Sequence, residues 1–230
     1  MDGILVLDKP VGITSARAVG QIKRLLPRGT KIGHAGTLDP FATGVLLLLI
    51  GKSTKLCEKL MDEPKQYVTT VKLGATSASD DPESPEEPHL VSTVPTQAEV
   101  DRALHAMTGS IQQRPPIFSA MKIKGRRAYD LARAGRVVEL PPRTVHIYAI
   151  QRLNYGWPFL SLRIDCGRGT YIRAIARDLG DALAVGGYLT ELRRTRVGPF
   201  SVDDAVTLER AVQAGVGGLL KQFSIRDLMH

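Results

Sequence analysis

The sequence predicts an α+β domain, and three observations carry that prediction. Apolar residues make up 43% of the 230 residues, enough side chain to offset the entropy of ordering a folded core. Stretches with strand and helix periodicity follow one another in mixed order, which favours α+β over a doubly wound parallel sheet. No linker, internal repeat, heptad pattern or low-complexity tract divides the chain, so residues 1–230 read as one domain.

The elements follow in order. Gly3 to Leu7 reads as a short buried strand, broken by Asp8-Lys9-Pro10-Val11-Gly12. Thr14 and Ser15 can cap a helix whose apolar positions Ala18, Val19, Ile22, Leu25 and Leu26 keep the helical period, and Pro27 ends it. A polar, glycine-rich loop covers 28–43. Gly44 to Ile50 is almost wholly aliphatic, as in a strand buried on both faces. Tyr67 to Leu73 alternates as a half-buried strand, and Ser77 to Pro95, rich in proline and acid, reads as an exposed loop. Thr96 and Glu99 form a capping box for a helix through Met107. Arg114-Pro115-Pro116 is extended, because proline restricts both itself and its predecessor. A helix is expected at Ala128 to Arg133, and strands at Thr144 to Leu153 and Phe159 to Cys166. Gly167-Arg168-Gly169 turns the chain into a helix with Ile172, Ile175, Ala176 and Leu179 on one stripe, and Val206 to Leu228 reads as closing helices.

Charge gives the first functional hint. Lys and Arg number 31 against 23 Asp and Glu, a formal charge of +8, which favours a polyanionic partner. Lys122, Lys124, Arg126, Arg127, Arg133 and Arg136 crowd one stretch, and Arg193, Arg194 and Arg196 another. The acids gather at Asp80, Asp81, Glu83, Glu86 and Glu87, so one face is expected to meet an anion and another to face water.

Several classes are set aside. The run Val45 to Ile50 is far short of the roughly 20 residues that span a bilayer, and Met1-Asp2-Gly3 does not open a secretory signal. Cys57 and Cys166 make neither a disulfide framework nor a zinc site, and no histidine has metal-ligand spacing to another histidine or a cysteine. Gly51-Lys52-Ser53-Thr54 fails the phosphate-loop spacing, since Leu46 stands where the first glycine belongs. No Gly-x-Ser-x-Gly elbow is present. The chain is expected in a reducing cytoplasm, with no metal or other cofactor.

Three constellations remain. Gly33-His34-Ala35-Gly36-Thr37-Leu38-Asp39-Pro40 sets an acid on a glycine-rich loop before a buried strand. Such a carboxylate serves as nucleophile or base, or caps the local backbone. Gly169-Thr170-Tyr171-Ile172-Arg173 puts an arginine in the first turn of a helix, at the surface or paired with a carboxylate. Lys65-Gln66-Tyr67 opens a strand with a tyrosine that stacks on a base or fills the core.

Taken together, these residues resemble the TruB family of pseudouridine synthases. The resemblance runs in order through Asp8-Lys9-Pro10-x-Gly12-x-x-Ser15, the 33–40 segment, and Ala42-Thr43-Gly44-Val45-Leu46. It continues through Lys65-x-Tyr67, Pro115-Pro116-x-x-Ser119-Ala120-x-Lys122, Gly125-x-x-Ala128-Tyr129, Gly169 to Arg173, and Leu192-Arg193-Arg194. It implies the pseudouridine synthase fold, a central, mostly antiparallel mixed sheet with an RNA cleft across it. It also implies conversion of uridine to pseudouridine in the T loop of tRNA, at position 55, with the base flipped out.

The roles implied are these. Asp39 would be the essential carboxylate, expected ionised at pH 7 and paired with Arg173. Tyr67 would stack on the target uracil. His34 would intercalate into the T loop, next to Gly36 and Thr37. Lys9 and Leu192 would line the pocket. Lys122, Lys124, Arg126 and Arg127, on a basic flap at about 119–139, would contact RNA with Arg193 and Arg194. The partner would be the tRNA T arm, with no membrane and no obligate protein partner, and the chain a monomer. The closing segment, about 205–230, leads to the expectation of a catalytic domain without the PUA domain that many relatives carry.

Overall fold

A computed structural model describes residues 1–118, 122–123, 126–127 and 140–222. The chain divides into two compact units, Met1–Val68 with the chain from Leu192 onward, and Thr69–Glu191. Strands β4 (Lys65–Leu73) and β12 (Gly187–Val197) contribute residues to both.

The first unit is built on β1 (Gly3–Lys9) and β3 (Thr43–Ile50), antiparallel with Leu5 opposite Leu48. Strand β12 joins β3 in parallel, with Arg194 opposite Gly44. Strand β2 (Ile32–His34) pairs antiparallel with β3, so the sheet is mixed. The period-two rule sends Ile4, Val6, Val45, Leu47 and Leu49 to one face, where they pack with Ala35, Leu56, Leu60, Val197 and Phe200. Leu5, Leu7, Leu46 and Leu48 on the other face are buried as well, so β3 is covered on both sides as its aliphatic run predicts. Helix α1 (Ser15–Lys23) buries Ala18 and Ile22, and Thr14 caps it by accepting from the Arg17 amide. Helix α2 (Cys57–Asp62) follows a 3-10 turn at Gly51–Leu56.

Glycine at 44 is required by space as well as by dihedral angle. Its φ is +100°, and a Cβ there would lie 2.2 Å from the Arg194 carbonyl oxygen. Beyond β13 (Phe200–Ser201) the chain departs from the expected run of helices. Val206–Thr207 forms β14, which adds in parallel to the open edge of β1, and only Leu208–Ala214 (α5) is α-helical among the described residues there. Lys221 then bridges Ile4.

The second unit carries β4, β11 (Phe159–Cys166), β10 (Arg143–Gly156) and β7 (Gly109–Gln113), in that order. Strand β10 is antiparallel to both its neighbours. Helix α3 (Gln97–Ala106) starts at the Thr96–Glu99 capping box. Helix α4 (Ile172–Ala182) buries Ile172, Ile175, Ala176 and Leu179 as its apolar stripe predicts, and Arg173 with them. Its Gly180 abuts the chain entering β12, where a Cβ would stand 2.2 Å from the Gly186 carbonyl carbon.

The acidic stretch after β4 departs from the exposed loop expected. Ala75–Ser77 (β5) pairs with Glu86–Pro88 (β6), and Ser77, Ser79 and Asp81 are buried because hydrogen bonds and a buried arginine take up their polar groups. Exposure begins at Pro82 and runs to Val94 with few breaks. In the basic stretch, Lys122–Ile123 (β8) and Arg126–Arg127 (β9) pair as an antiparallel ladder. The helix expected at Ala128 to Arg133, and Lys124, lie outside the described residues. Among the described residues no helix is long and apolar enough to cross a membrane.

Candidate active site

The acid loop of the first unit is pinned on several sides. Arg194 is 2% exposed, and its guanidinium donates to the carbonyls of Val45 (2.7 Å), Gly36 (3.1 Å) and Thr37 (3.4 Å). Lys9 is wholly buried and its ammonium donates to the carbonyls of Pro10 (2.8 Å), Ile13 (2.9 Å) and Pro40 (3.4 Å). The Ser15 hydroxyl donates to the Leu38 carbonyl and accepts from the Leu38 amide. The Gly12 amide donates to Pro40, and the Ala42 amide to Asp39.

Burying charged groups is costly unless their donors are used, and here carbonyls take them. The effect is a loop held from 36 to 42 with Asp39 half-buried at its centre, neither sealed in the core nor open to bulk water. Lys9 and Arg194 are thus both buried and both donate to backbone carbonyls around this loop, and Lys9 also lines a small cavity with Asp8, Pro10, Thr43 and Arg193. Arg193, next along β12, has the opposite orientation. It is half-exposed, forms a two-pronged pair with Asp8 at 2.8 and 3.1 Å, and reaches the Thr43 hydroxyl.

His34 ends β2 beside this loop. Burial, and then the nearby Arg194 cation, push its imidazole below the ordinary histidine value, so the ring is neutral at pH 7. A neutral, partly buried ring suits stacking against a base better than a hydrated cation does. Tyr67 on β4 and Leu192 on β12 are buried, with 8% exposure each.

In the second unit, Arg173 lies in the first turn of α4, almost fully buried. Its Nη1 donates to Asp81 (2.9 Å) and to the Ser79 carbonyl (3.0 Å), and its Nη2 to the Phe118 carbonyl (2.9 Å). Asp81, 1% exposed in its side chain, is a carboxylate partner that sequence reasoning did not name. The turn before α4 is fixed by a reciprocal pair, the Tyr171 amide on Gln113 Oε1 (2.8 Å) and Gln113 Nε2 on the Tyr171 carbonyl (3.1 Å). Arg143 covers the Tyr171 ring at 4.7 Å.

One turn along α4, Arg177 pairs with Asp80 at 3.0 Å and donates to the Arg114 carbonyl at 2.8 Å. Burial pushes the Asp80 carboxyl up to about 6, against the opposing pull of Arg177 and Arg173. The folded protein then holds this proton more tightly than the unfolded chain, so the group's contribution to stability is lost as pH rises from 3.8 to about 6. Asp80→Asn is expected to flatten that part of the stability profile in denaturant titrations. An unchanged slope in the variant contradicts the assignment.

Among the described residues, no group of three His, Cys, Asp or Glu is placed to hold a metal ion. The first unit thus carries one framed carboxylate, a neutral imidazole and the buried Arg194.

Residues 23–172 match the model of the TruB family pseudouridylate synthase N-terminal domain, and residues 173–216 that of the tRNA pseudouridylate synthase B C-terminal domain. The chain is 47% identical over 211 residues to tRNA pseudouridine synthase B of Aromatoleum aromaticum, covering 90% of this chain and 67% of that one. It is 45% identical over 240 residues to the protein of the same name from Mycobacterium bovis strain BCG, covering 98% and 79%. Among solved structures it resembles a chain of a Cbf5-Nop10-Gar1 complex, with a TM-score of 0.71 and 32% identity, covering 93% of this chain and 54% of that one. The chain therefore spans about half the length of that solved relative. It belongs to the TruB family of tRNA pseudouridine synthases, isomerases that turn uridine into pseudouridine in tRNA.

Proposed function

We propose that this chain makes pseudouridine at position 55, in the T loop of tRNA, acting as a monomer in the cytoplasm. Asp39 is the essential carboxylate in this reading, Tyr67 stacks on the target uracil, and Arg173 is the cationic partner of the site. The observation that carries it is a half-buried aspartate on a loop whose backbone is held on both sides of it.

The isomerisation breaks the N1–C1′ bond, turns the base, and joins C5 to C1′. The hydrogen on C5 leaves as a proton and N1 gains one, so nothing is oxidised and no phosphate is consumed. Such a reaction needs a well-placed acid group, a counter-charge and a dry pocket. A carboxylate can begin it at C1′, at C6, or by taking a proton from C2′, and each route needs its oxygen held against the nucleoside. The target base is stacked in the tRNA elbow, and everting it costs a few kcal/mol. Phosphate contacts from the basic stretch and from Arg193 offset that cost.

The direct test is tritium release from T-arm RNA carrying uridine labelled at C5, with purified protein and no added cofactor. Release in step with pseudouridine formation is expected; none at any enzyme concentration sinks the reading. Truncating Lys122, Lys124, Arg126 and Arg127 together to Ala is expected to weaken RNA binding. It flattens the slope of log affinity against log salt by about 3, at roughly 0.7 to 0.9 for each phosphate no longer neutralised. A slope equal to that of the parent removes this stretch from the interface.

A further inference from the structure

We propose that Ser15 is a positioning residue for the isomerisation, acting on Asp39 through the backbone of Leu38. The inference rests on the reading of Asp39 as the essential carboxylate. Ser15 is the first residue of α1 and is 2% exposed. Its single hydroxyl serves both polar backbone groups of Leu38, donating to the carbonyl at 2.9 Å and accepting from the amide at 2.8 Å.

The two bonds hold different peptide planes. The Leu38 amide belongs to the plane shared with Thr37, and the Leu38 carbonyl to the plane shared with Asp39. The second bond therefore fixes the peptide on the N-terminal side of Asp39. The Ala42 amide, donating to the Asp39 carbonyl at 3.1 Å, fixes the peptide on its other side. The hydroxyl is in turn held by α1, whose Ala18 and Ile22 are wholly buried, so the reference point is the core and not another loop.

A loop atom displaced by about 1 Å is enough to cost on the order of 100-fold in rate. Ser15→Ala is thus expected to lower kcat by about 10- to 100-fold, while KM and the Kd for T-arm RNA stay at parental values. Ser15→Thr keeps the oxygen and is expected to restore most of kcat; Ser15→Val has the shape of threonine without the oxygen and is expected to behave like alanine. Parental kcat in Ser15→Ala overturns the proposal, as does equal loss in the threonine and valine variants. If Ser15→Ala fails to fold while Ser15→Thr folds, the hydroxyl is a folding element and the positioning role is wrong. Asp39→Asn is measured in parallel. Turnover by Asp39→Asn removes the underlying reading, whereas a dead Asp39→Asn beside a fully active Ser15→Ala removes only the role of Ser15.

Discussion

Asp39→Asn is expected to lower turnover on T-arm RNA by about four orders of magnitude or more, the scale seen when the group that attacks or abstracts is removed. Asparagine keeps the shape of the side chain and loses its charge, so the pinned loop has no steric reason to move. RNA affinity comes from phosphate contacts spread over basic residues, and one half-buried carboxylate contributes little to it. Filter binding on the variant is therefore expected to match the parent while tritium release vanishes. Near-parental release contradicts the reading at its root. Loss of both together points to a broken fold, which a melting curve separates.

Arg194→Leu has the largest expected effect on stability. Leucine fits an apolar interior and relieves the burial of a cation. It leaves the carbonyls of Val45, Gly36 and Thr37 without their guanidinium donors, the first of them buried and the other two part-buried. An orphaned buried acceptor costs about 1–3 kcal/mol, which falls on the Val45 carbonyl, and the part-buried Gly36 and Thr37 carbonyls add less because water can replace the lost donor. For a chain of this size that is a fall in Tm of roughly 2 to 12 °C. Arg194→Lys is expected to recover only part, because one ammonium cannot reproduce a planar fork. A calorimetric Tm within about 1 °C of the parent would remove the clamp from the account.

Much of the fold was legible where physical signals are local. The aliphatic run of β3, the Thr96 capping box, the alternation of β11 and the stripe of α4 each report a short-range preference, and each element is present. Strand β2 is too short to carry a period, and β7 too polar. Strand β12 was lost because Leu192-Arg193-Arg194 reads as a basic surface cluster. The signal was nonetheless there: Leu192 and Arg194 are two residues apart, so a strand puts both on the side that Val197 does not share, and both are buried. Asp81 was illegible for a different reason. Its burial depends on Arg173, 92 residues away, and no local pattern announces a counter-ion at that separation.

The candidate site divides in the same way. Glycines, a histidine and an acid before a buried strand mark the loop, and the resemblance to the TruB family is what suggests a role for the acid. What holds the loop was not visible, because Lys9 and Arg194 look like solvent-facing cations in any one-dimensional view. Only the register of the sheet decides that Arg194 turns inward and Arg193 outward.

That register has a consequence for how the molecule becomes competent. Arg194 lies across from Gly44 in the parallel pairing of β12 with β3, and a slip by one position would exchange inward and outward side chains. A slip that brought Thr195 to the clamp would leave the 36–37 carbonyls without a guanidinium, and one that brought Arg193 there would take it from Asp8. The alignment of β12 on β3 and the order of the 36–42 loop are therefore set together: the strand pairing that closes the sheet also fixes the backbone on either side of Asp39.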